Sequence, residues 1–311
     1  MNIKLKNKKG AIGIILAIII AGAVLVALLK PTPAEAVTVK PYGEINYRMG
    51  ADDNAAGNSV VKATDNGSKA GVKIQTTQEG IRGFARVEVG VNSDDTGSNP
   101  FKSRVAFAGV DMGDMGSVSA GRQNSVFKGA VTSKTDVFPE YGNKAVQKLF
   151  SRDSHTVVYA NKFAGMKFNT LVKVDGATGK SGTDVLESTV TFDVGPANVG
   201  LGMSNDKVND VDYTGVGVSL PLSVDTALAY NYTKKDTTTD VEANDIVVTH
   251  VIGDTKFAVG YGKIKDGNAY TTLGATKSLT KNFQFYAGFE NADIKDGQDT
   301  SGLSAGLKMK F

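Results

Sequence analysis

From Val37 onward, apolar residues recur at every second position in segments of about ten residues, and this period constrains the fold more than any other feature. Phe283, Phe285, Ala287 and Phe289 alternate with Gln284, Tyr286, Gly288 and Glu290. Phe257, Val259 and Tyr261 alternate with Lys256, Ala258, Gly260 and Gly262, and Leu186, Val190, Phe192 and Val194 oppose Glu187, Thr189, Thr191 and Asp193. Successive side chains of a strand point to opposite faces, so each segment has one apolar and one polar face. The polar face carries charge: Lys73, Arg86, Glu88, Lys167, Asn169, Lys173 and Glu290 fall on it. A soluble two-sheet domain, the competing fold, needs a dry core between its sheets. Strands with one apolar and one charged face fit a wall between lipid and water.

Strands are expected at roughly 38–48, 68–77, 80–91, 102–111, 115–124, 153–162, 165–174, 184–194, 197–205, 211–220, 223–233, 243–251, 254–264, 269–278, 282–292 and 302–311. Short links such as Gln78-Glu79, Ala164-Gly165, Gly195-Pro196 and Ile252-Gly253 alternate with longer polar ones at 49–67, 92–101, 175–183, 234–242 and 293–301. Tight turns on one rim, longer loops on the other and an even strand count are the marks of a bacterial barrel. Closure pairs every backbone donor and acceptor away from lipid. The expected fold is all-β, a sixteen-stranded antiparallel transmembrane β-barrel.

Residues 1–36 are of another kind. Lys4, Lys6, Lys8 and Lys9 precede an apolar run from Ala11 to Leu29, followed by Pro31, Pro33 and Ala34-Glu35-Ala36. This is the layout of a signal peptide cleaved after Ala36, leaving 37–311 as the barrel; an uncleaved anchor is the alternative. The whole chain carries 35 basic and 32 acidic residues, and five of the lysines but one of the acids lie before Val37. The remainder is slightly acidic, so its charge gives no reason to expect nucleic acid as a partner.

Catalytic and metal chemistry lacks a matching pattern. There is no cysteine, which excludes disulfides and thiolate ligands. Ser154 and His155 are adjacent on a strand and face opposite ways, so they cannot form a nucleophile–base pair, while His250 has an ambiguous facing. Asn205, Asp206, Asn209, Asp210 and Asp212 form an acidic turn at 205–212, a weak calcium candidate without the spacing of an EF-hand. Gly260-Tyr261-Gly262-Lys263 lies inside a strand with no helix after it, so it is not a phosphate loop. The expectation is a non-enzyme without cofactor.

One link breaks the rhythm. From Ser125 to Ser151 the chain holds Phe127, Val131, Val137, Phe138, Tyr141 and Leu149, too apolar for a solvated loop. It should pack on a sheltered surface, and a barrel offers only its lumen. Pro139-Glu140-Tyr141-Gly142 in this link, Ser103-Arg104-Val105-Ala106-Phe107-Ala108-Gly109 with Gly113-Asp114-Met115-Gly116-Ser117 and Gly121-Arg122, and the opening Pro41-Tyr42-Gly43 carry a family likeness. In these stretches the chain resembles the trimeric general porins of Gram-negative bacteria; elsewhere the likeness rests on strand order.

The resemblance implies an inward-folded third loop, a homotrimer, a multi-pass place in the outer membrane with its lipid as partner, and passive diffusion of small hydrophilic solutes. It also implies a constriction of opposed charges. Asp136 and Glu140 would be the loop acids, sharing a face if the segment takes a helical turn. Arg122 and Arg152 would stand on the opposite wall, with Lys69 in place of a further wall arginine and Glu88 as a lumenal acid by strand parity. Glu44 sits where the family commonly has a base, which weakens the basic wall. Phe311 would end the strand read by the outer-membrane assembly machinery. Unlike charges across a narrow passage set up a transverse field that polar solutes tolerate and apolar ones do not; these acids favour a weak cation preference. A substrate-selective porin and a non-conducting receptor or adhesin barrel remain the alternatives.

Overall fold

A computed structural model describes residues 37–53, 56, 58–94, 100–176 and 182–311. The expected leader 1–36, with its cleavage after Ala36, lies outside the described residues. Strand β1 spans Thr38–Asp53, β2 Ser59–Asp65, β3 Lys69–Gln78, β4 Ile81–Val91, β5 Phe101–Asp111 and β6 Ser117–Asn124. After the helix α1 (Val126–Ala130) come β7 Arg152–Phe163, β8 Met166–Lys173, β9 Val185–Val194, β10 Ala197–Asp206 and β11 Val211–Pro221. The sheet ends with β12 Thr226–Asp236, β13 Val241–Ile252, β14 Thr255–Ile264, β15 Ala269–Ser278, β16 Phe283–Asp293 and β17 Thr300–Lys310.

All pairings are antiparallel, and the sheet closes where Glu44–Asp52 of β1 runs against Lys310–Gly302 of β17. On its other edge β1 pairs first with β3, over Thr38–Glu44, and then with β2, over Tyr47–Asp53. β2 and β3 are therefore two parts of one stave, and the seventeen strands make a closed sixteen-stave barrel. The break between them is a local turn: the Asp65 carboxylate accepts the N–H groups of Gly67 and Ser68 at 2.8 and 3.0 Å, and Gly67 has φ +83°. An Asx turn of this kind offers the backbone an alternative to the ladder.

The expected strand positions hold closely, with one informative difference. The link expected at 49–67 is largely strand, because β1 continues to Asp53 and pairs Ala51 with Val61 and Asp53 with Ser59. Its outward apolar residues, Met49, Ala51, Val61 and Ala63, are too few and too widely separated by polar ones for an alternation to mark it. At the seam Gly43 and Phe311 exchange backbone hydrogen bonds of 2.9 and 3.1 Å.

The two faces of the wall are inverted relative to a soluble protein. Ile45, Met49, Leu201, Met203, Phe257, Val259, Tyr261, Leu273, Phe285, Leu303 and Leu307 are exposed on the outside. Glu44, Asn46, Glu88, Glu187, Asp245, Thr272, Glu290 and Ser304 are buried on the inside. A contiguous apolar exterior of this extent is stable only against another apolar phase.

The segment 125–151 packs on inward-facing positions. Phe127 and Val131 are fully buried, forming with Ala130 and Tyr213 a small apolar cluster flanked by Leu149 and Val211. Glycines of the wall make the room: a Cβ on Gly202 of β10 would collide with Phe127, and one on Gly200 with the Ala130 carbonyl. Farther along, Phe138 lies against Gly260 and Gly274, and Tyr141 against Gly302. The segment thus follows the inner wall from β10 to β17.

Candidate functional site

The segment starts at an anchored turn. Ser125 caps α1 by accepting the Lys128 N–H at 2.9 Å, and its hydroxyl donates to the Glu187 carboxylate of β9. Glu187 also accepts the N–H groups of Val126 and Phe127 at 2.8 and 3.1 Å. The first amides of any helix lack intrahelical partners, and a wall carboxylate satisfies them here.

The far end is tied to β1 and β16. Glu140 lies 3.4 Å from Arg48 Nε, and Arg48 also holds Asp52 at 2.9 Å. The Tyr141 hydroxyl donates to Asp52 at 2.5 Å, and the Gly142 N–H donates to Glu290 at 2.8 Å. Lys144 completes the end with a 2.7 Å ion pair to Glu290. Burial pushes the Glu140 carboxyl above its ordinary range, against the pull of Arg48. Burial and the bond to Asp52 push the Tyr141 phenol up to about 12. Lys148, farther along, is lowered by burial and by Lys128.

Across the lumen, Arg86 of β4, Arg104 of β5, Arg122 of β6 and Arg152 of β7 gather near one another. Arg86 and Arg104 both bind Glu88, at 2.6 and 2.7 Å, and the Tyr42 hydroxyl donates to the same carboxylate at 2.8 Å. Arg122 donates to Ser154 Oγ at 3.1 Å. Arg152 lies within electrostatic reach of Arg104, Arg122, Arg86 and Glu88. Among the described residues, Nε of Arg122 and Nε of Arg152 are buried without a hydrogen-bond partner, and neither guanidinium has an ion pair. Of the four guanidinium groups, only those of Arg86 and Arg104 bind this carboxylate.

Two register breaks place these groups. The β4–β5 ladder shifts between Glu88 and Val89, where β5 carries Arg104 as an extra residue, and the β6–β7 ladder shifts between Gly121 and Gln123, where Ser154 and His155 of β7 stand against Arg122 alone. An extra residue in one strand re-aims its side chain. Gly121 has φ +132° and His155, opposite the second break, φ +57°. Strict alternation would send Arg104 outward with Ala106; the break brings it to Glu88 instead.

The expected site residues are thus partly brought together. Arg122, Arg152 and Glu88 share one patch with Arg86 and Arg104, and Lys69 pairs with Glu44 at 3.5 Å. Asp136 and Glu140 do not share a helical turn: the short 3-10 turn Thr132–Lys134 ends before them, and Pro139 disfavours helix at the residue before it. Asp136 meets Lys128 of its own segment at 3.6 Å, and Glu140 meets Arg48. Arg48, Asp52, Lys128 and Lys144 went unnoticed in the sequence, and Arg104 entered only as part of the family likeness, without a role in the site. Parity with Glu44 and Asn46 would have found Arg48; nothing local signals Arg104. The acids of 205–212 serve their own turn, Asp206 accepting the N–H groups of Val208 and Asn209. Among the described residues no group of three or more His, Asp or Glu is arranged for a metal.

A closed antiparallel barrel with an apolar exterior and a charged interior defines an outer-membrane β-barrel protein. Residues 21–297 match the family model described as Gram-negative porin, and the chain belongs to that family. It is 31% identical over 101 residues to the putative outer membrane porin protein NmpC of Escherichia coli (strain K12), a stretch covering 32% of this chain and 27% of that relative. The matched stretch therefore spans little more than a quarter of that curated relative. Among solved structures, an anion-selective porin from Comamonas acidovorans superposes with a TM-score of 0.74 at 18% identity, covering 89% of this chain and all of that one. OmpF of Salmonella typhi gives 0.74 at 17%, over 88% of this chain and 97% of that chain. OmpT of Vibrio cholerae, in a trimer form, gives 0.70 at 16%, over 89% and 100%. At these identities the structures establish the fold alone.

Proposed function

We propose that this porin conducts small hydrophilic ions and solutes passively, through a lumen narrowed by the segment 125–151 and flanked by charge on both sides. No bond is made or broken in such a passage; water and ions exchange partners with wall groups. The observation that carries the reading is the contrast between the two sides. The loop acids are neutralised close at hand, Asp136 by Lys128 and Glu140 by Arg48, whereas Arg122 and Arg152 on the facing wall have no carboxylate of their own. This balance favours anions, in place of the weak cation preference expected from the acids alone. The anion-selective porin of Comamonas acidovorans shares the fold and is consistent with that direction.

We further propose a homotrimer, supported by the trimer form of the Vibrio cholerae neighbour, and export with removal of 1–36. The constriction roles of Asp136, Glu140, Arg122, Arg152, Lys69, Glu44 and Glu88, and the sorting role of Phe311, belong to the same proposal. Its test is a planar bilayer. Stepwise ohmic conductance with a reversal potential on the chloride side of a KCl gradient is expected. Arg122→Gln with Arg152→Gln should move that potential towards potassium, changing the permeability ratio by about threefold. A barrel that inserts without conducting would overturn the pore, and an unmoved potential would put the two arginines outside the path.

A further inference from the structure

Under Asp136–Pro139, on the side of the short turns, the inner wall from β13 to β17 encloses a cavity of about 550 Å³. Lys256 of β14 and Lys308 and Lys310 of β17 line it, with the neutral groups Thr276, Ser278 and Gln284 between them. All three lysines sit at inward positions of their strands, alternating with the apolar residues Phe257, Leu307 and Met309 that face outward.

The cavity's charge is unbalanced. Two carboxylates border it, but each is engaged elsewhere: Asp136 pairs with Lys128 at 3.6 Å and Asp254 with Lys277 at 2.8 Å. Glu44 is 3.9 Å from Lys308 and nearer, at 3.5 Å, to Lys69. Among the described residues Lys256 and Lys310 have no ion-pair partner. Lys256 instead donates to the Val137 carbonyl at 3.4 Å, which holds its ammonium beneath the loop. Like charges gathered behind low-dielectric walls repel one another unless an anion joins them.

We propose that this cavity is a subsite for a phosphate-type oxyanion, entered from the short-turn end of the barrel. Three ammonium groups from two non-adjacent strands approach from different directions and suit a tetrahedral dianion, with oxygens on every side, better than a planar carboxylate. The hydroxyls of Thr276 and Ser278 and the amide of Gln284 supply neutral donors to the remaining oxygens. The volume admits a phosphomonoester as well as the free ion. The site is separate from the arginine wall of β4 to β7, and it deepens the anion-preferring pore reading on which its access from solution rests.

The test uses the purified full-length barrel and inorganic phosphate at alkaline pH, where the ion is a dianion. In a bilayer with symmetrical KCl, about 10 mM phosphate, a level that reads millimolar affinity, should lower the chloride-carrying conductance by about twofold. The reduction should be larger from the short-turn side and disappear in Lys256→Gln with Lys310→Gln. A parallel phosphorus NMR titration in detergent reads binding without conduction: the phosphate line should broaden with the parent protein and stay narrow with the double variant. Broadening that follows the lysines in a barrel that fails to conduct KCl supports the subsite and removes only the pore reading. An effect that persists in the lysine variant, one that instead vanishes in Arg122→Gln with Arg152→Gln, or the absence of broadening overturns the proposal. Retention of the folded-barrel mobility on an unheated gel verifies that each variant is folded.

Discussion

The Glu140 carboxylate stands 3.4 Å from Arg48 Nε, joining the far end of the inner segment to the strand that closes the barrel. Both side chains are largely shielded, at 17% and 14% exposure, so the attraction between them is set against the cost of removing two charges from water. Here the cost prevails for the acid, whose carboxyl is raised rather than lowered. Arg48 keeps a second partner, Asp52, at 2.9 Å. Glu140→Gln should therefore leave the barrel's thermal stability within about 1 kcal/mol of the parent, because the remaining ion pair still compensates the guanidinium. Thermal melts followed by circular dichroism check this; a loss of several kcal/mol would mean that the pair clamps the loop.

The same carboxyl predicts a pH response. Its value in the docked loop lies above that of an unfolded chain, so docking is favoured most below the ordinary carboxylate range and loses that contribution as pH rises through the raised value. On acidification Glu140 becomes neutral before exposed carboxylates do, and one negative charge leaves the lumen. The reversal potential in a KCl gradient should move towards chloride, and by more than in Glu140→Gln barrels over the same pH range. Identical titrations of parent and variant would place Glu140 away from the conducting path.

Docking of the segment near its start depends on an absent side chain. Gly202→Val would set a branched side chain against Phe127 and Val131, both fully buried. Overpacking of this kind costs about 1–3 kcal/mol and is relieved most simply by lifting α1 from the wall. Trypsin should then cut after Lys128 or Lys134 in the folded variant and spare the parent. Equal resistance would show that the wall yields instead of the loop.

Glu187 anchors the other face of the same turn. Replacing it with alanine leaves the Ser125 hydroxyl and the amides of Val126 and Phe127 without their acceptor, at a cost of about 1–3 kcal/mol for the buried donors. Glu187→Gln, which keeps one acceptor oxygen, should recover part of this. Hydrogen exchange at Val126 and Phe127 reports the effect directly: it should accelerate about tenfold or more in the alanine variant, in step with the lost free energy. Unchanged protection would assign the anchoring to the apolar cluster alone.

The legibility of the site in the sequence followed the regularity of the backbone. Glu88 and Glu290 could be turned inward by counting alternate positions, because their own strands carry no extra residue there. Arg104 could not, since the shift between Glu88 and Val89 reverses its direction and leaves no mark in a single sequence. The acids of the segment were recognisable, but their partners were not. Asp136 and Glu140 lie where no period operates, and Glu140 meets a residue 92 positions away in the chain.

What the sequence determined by itself was the wall. A two-residue period with one apolar and one charged face leaves a strand a single way to satisfy lipid, water and its own backbone at once, and sixteen such staves must close. What only the tertiary structure decided was how the enclosed charges meet. A register break re-aims Arg104, glycines far along the chain admit Phe127 and Phe138, and the choice of Arg48 for Glu140 rests on distances across the lumen. Coulomb interactions act through space, and the spacing of residues along the chain does not encode which charges a closed barrel brings face to face.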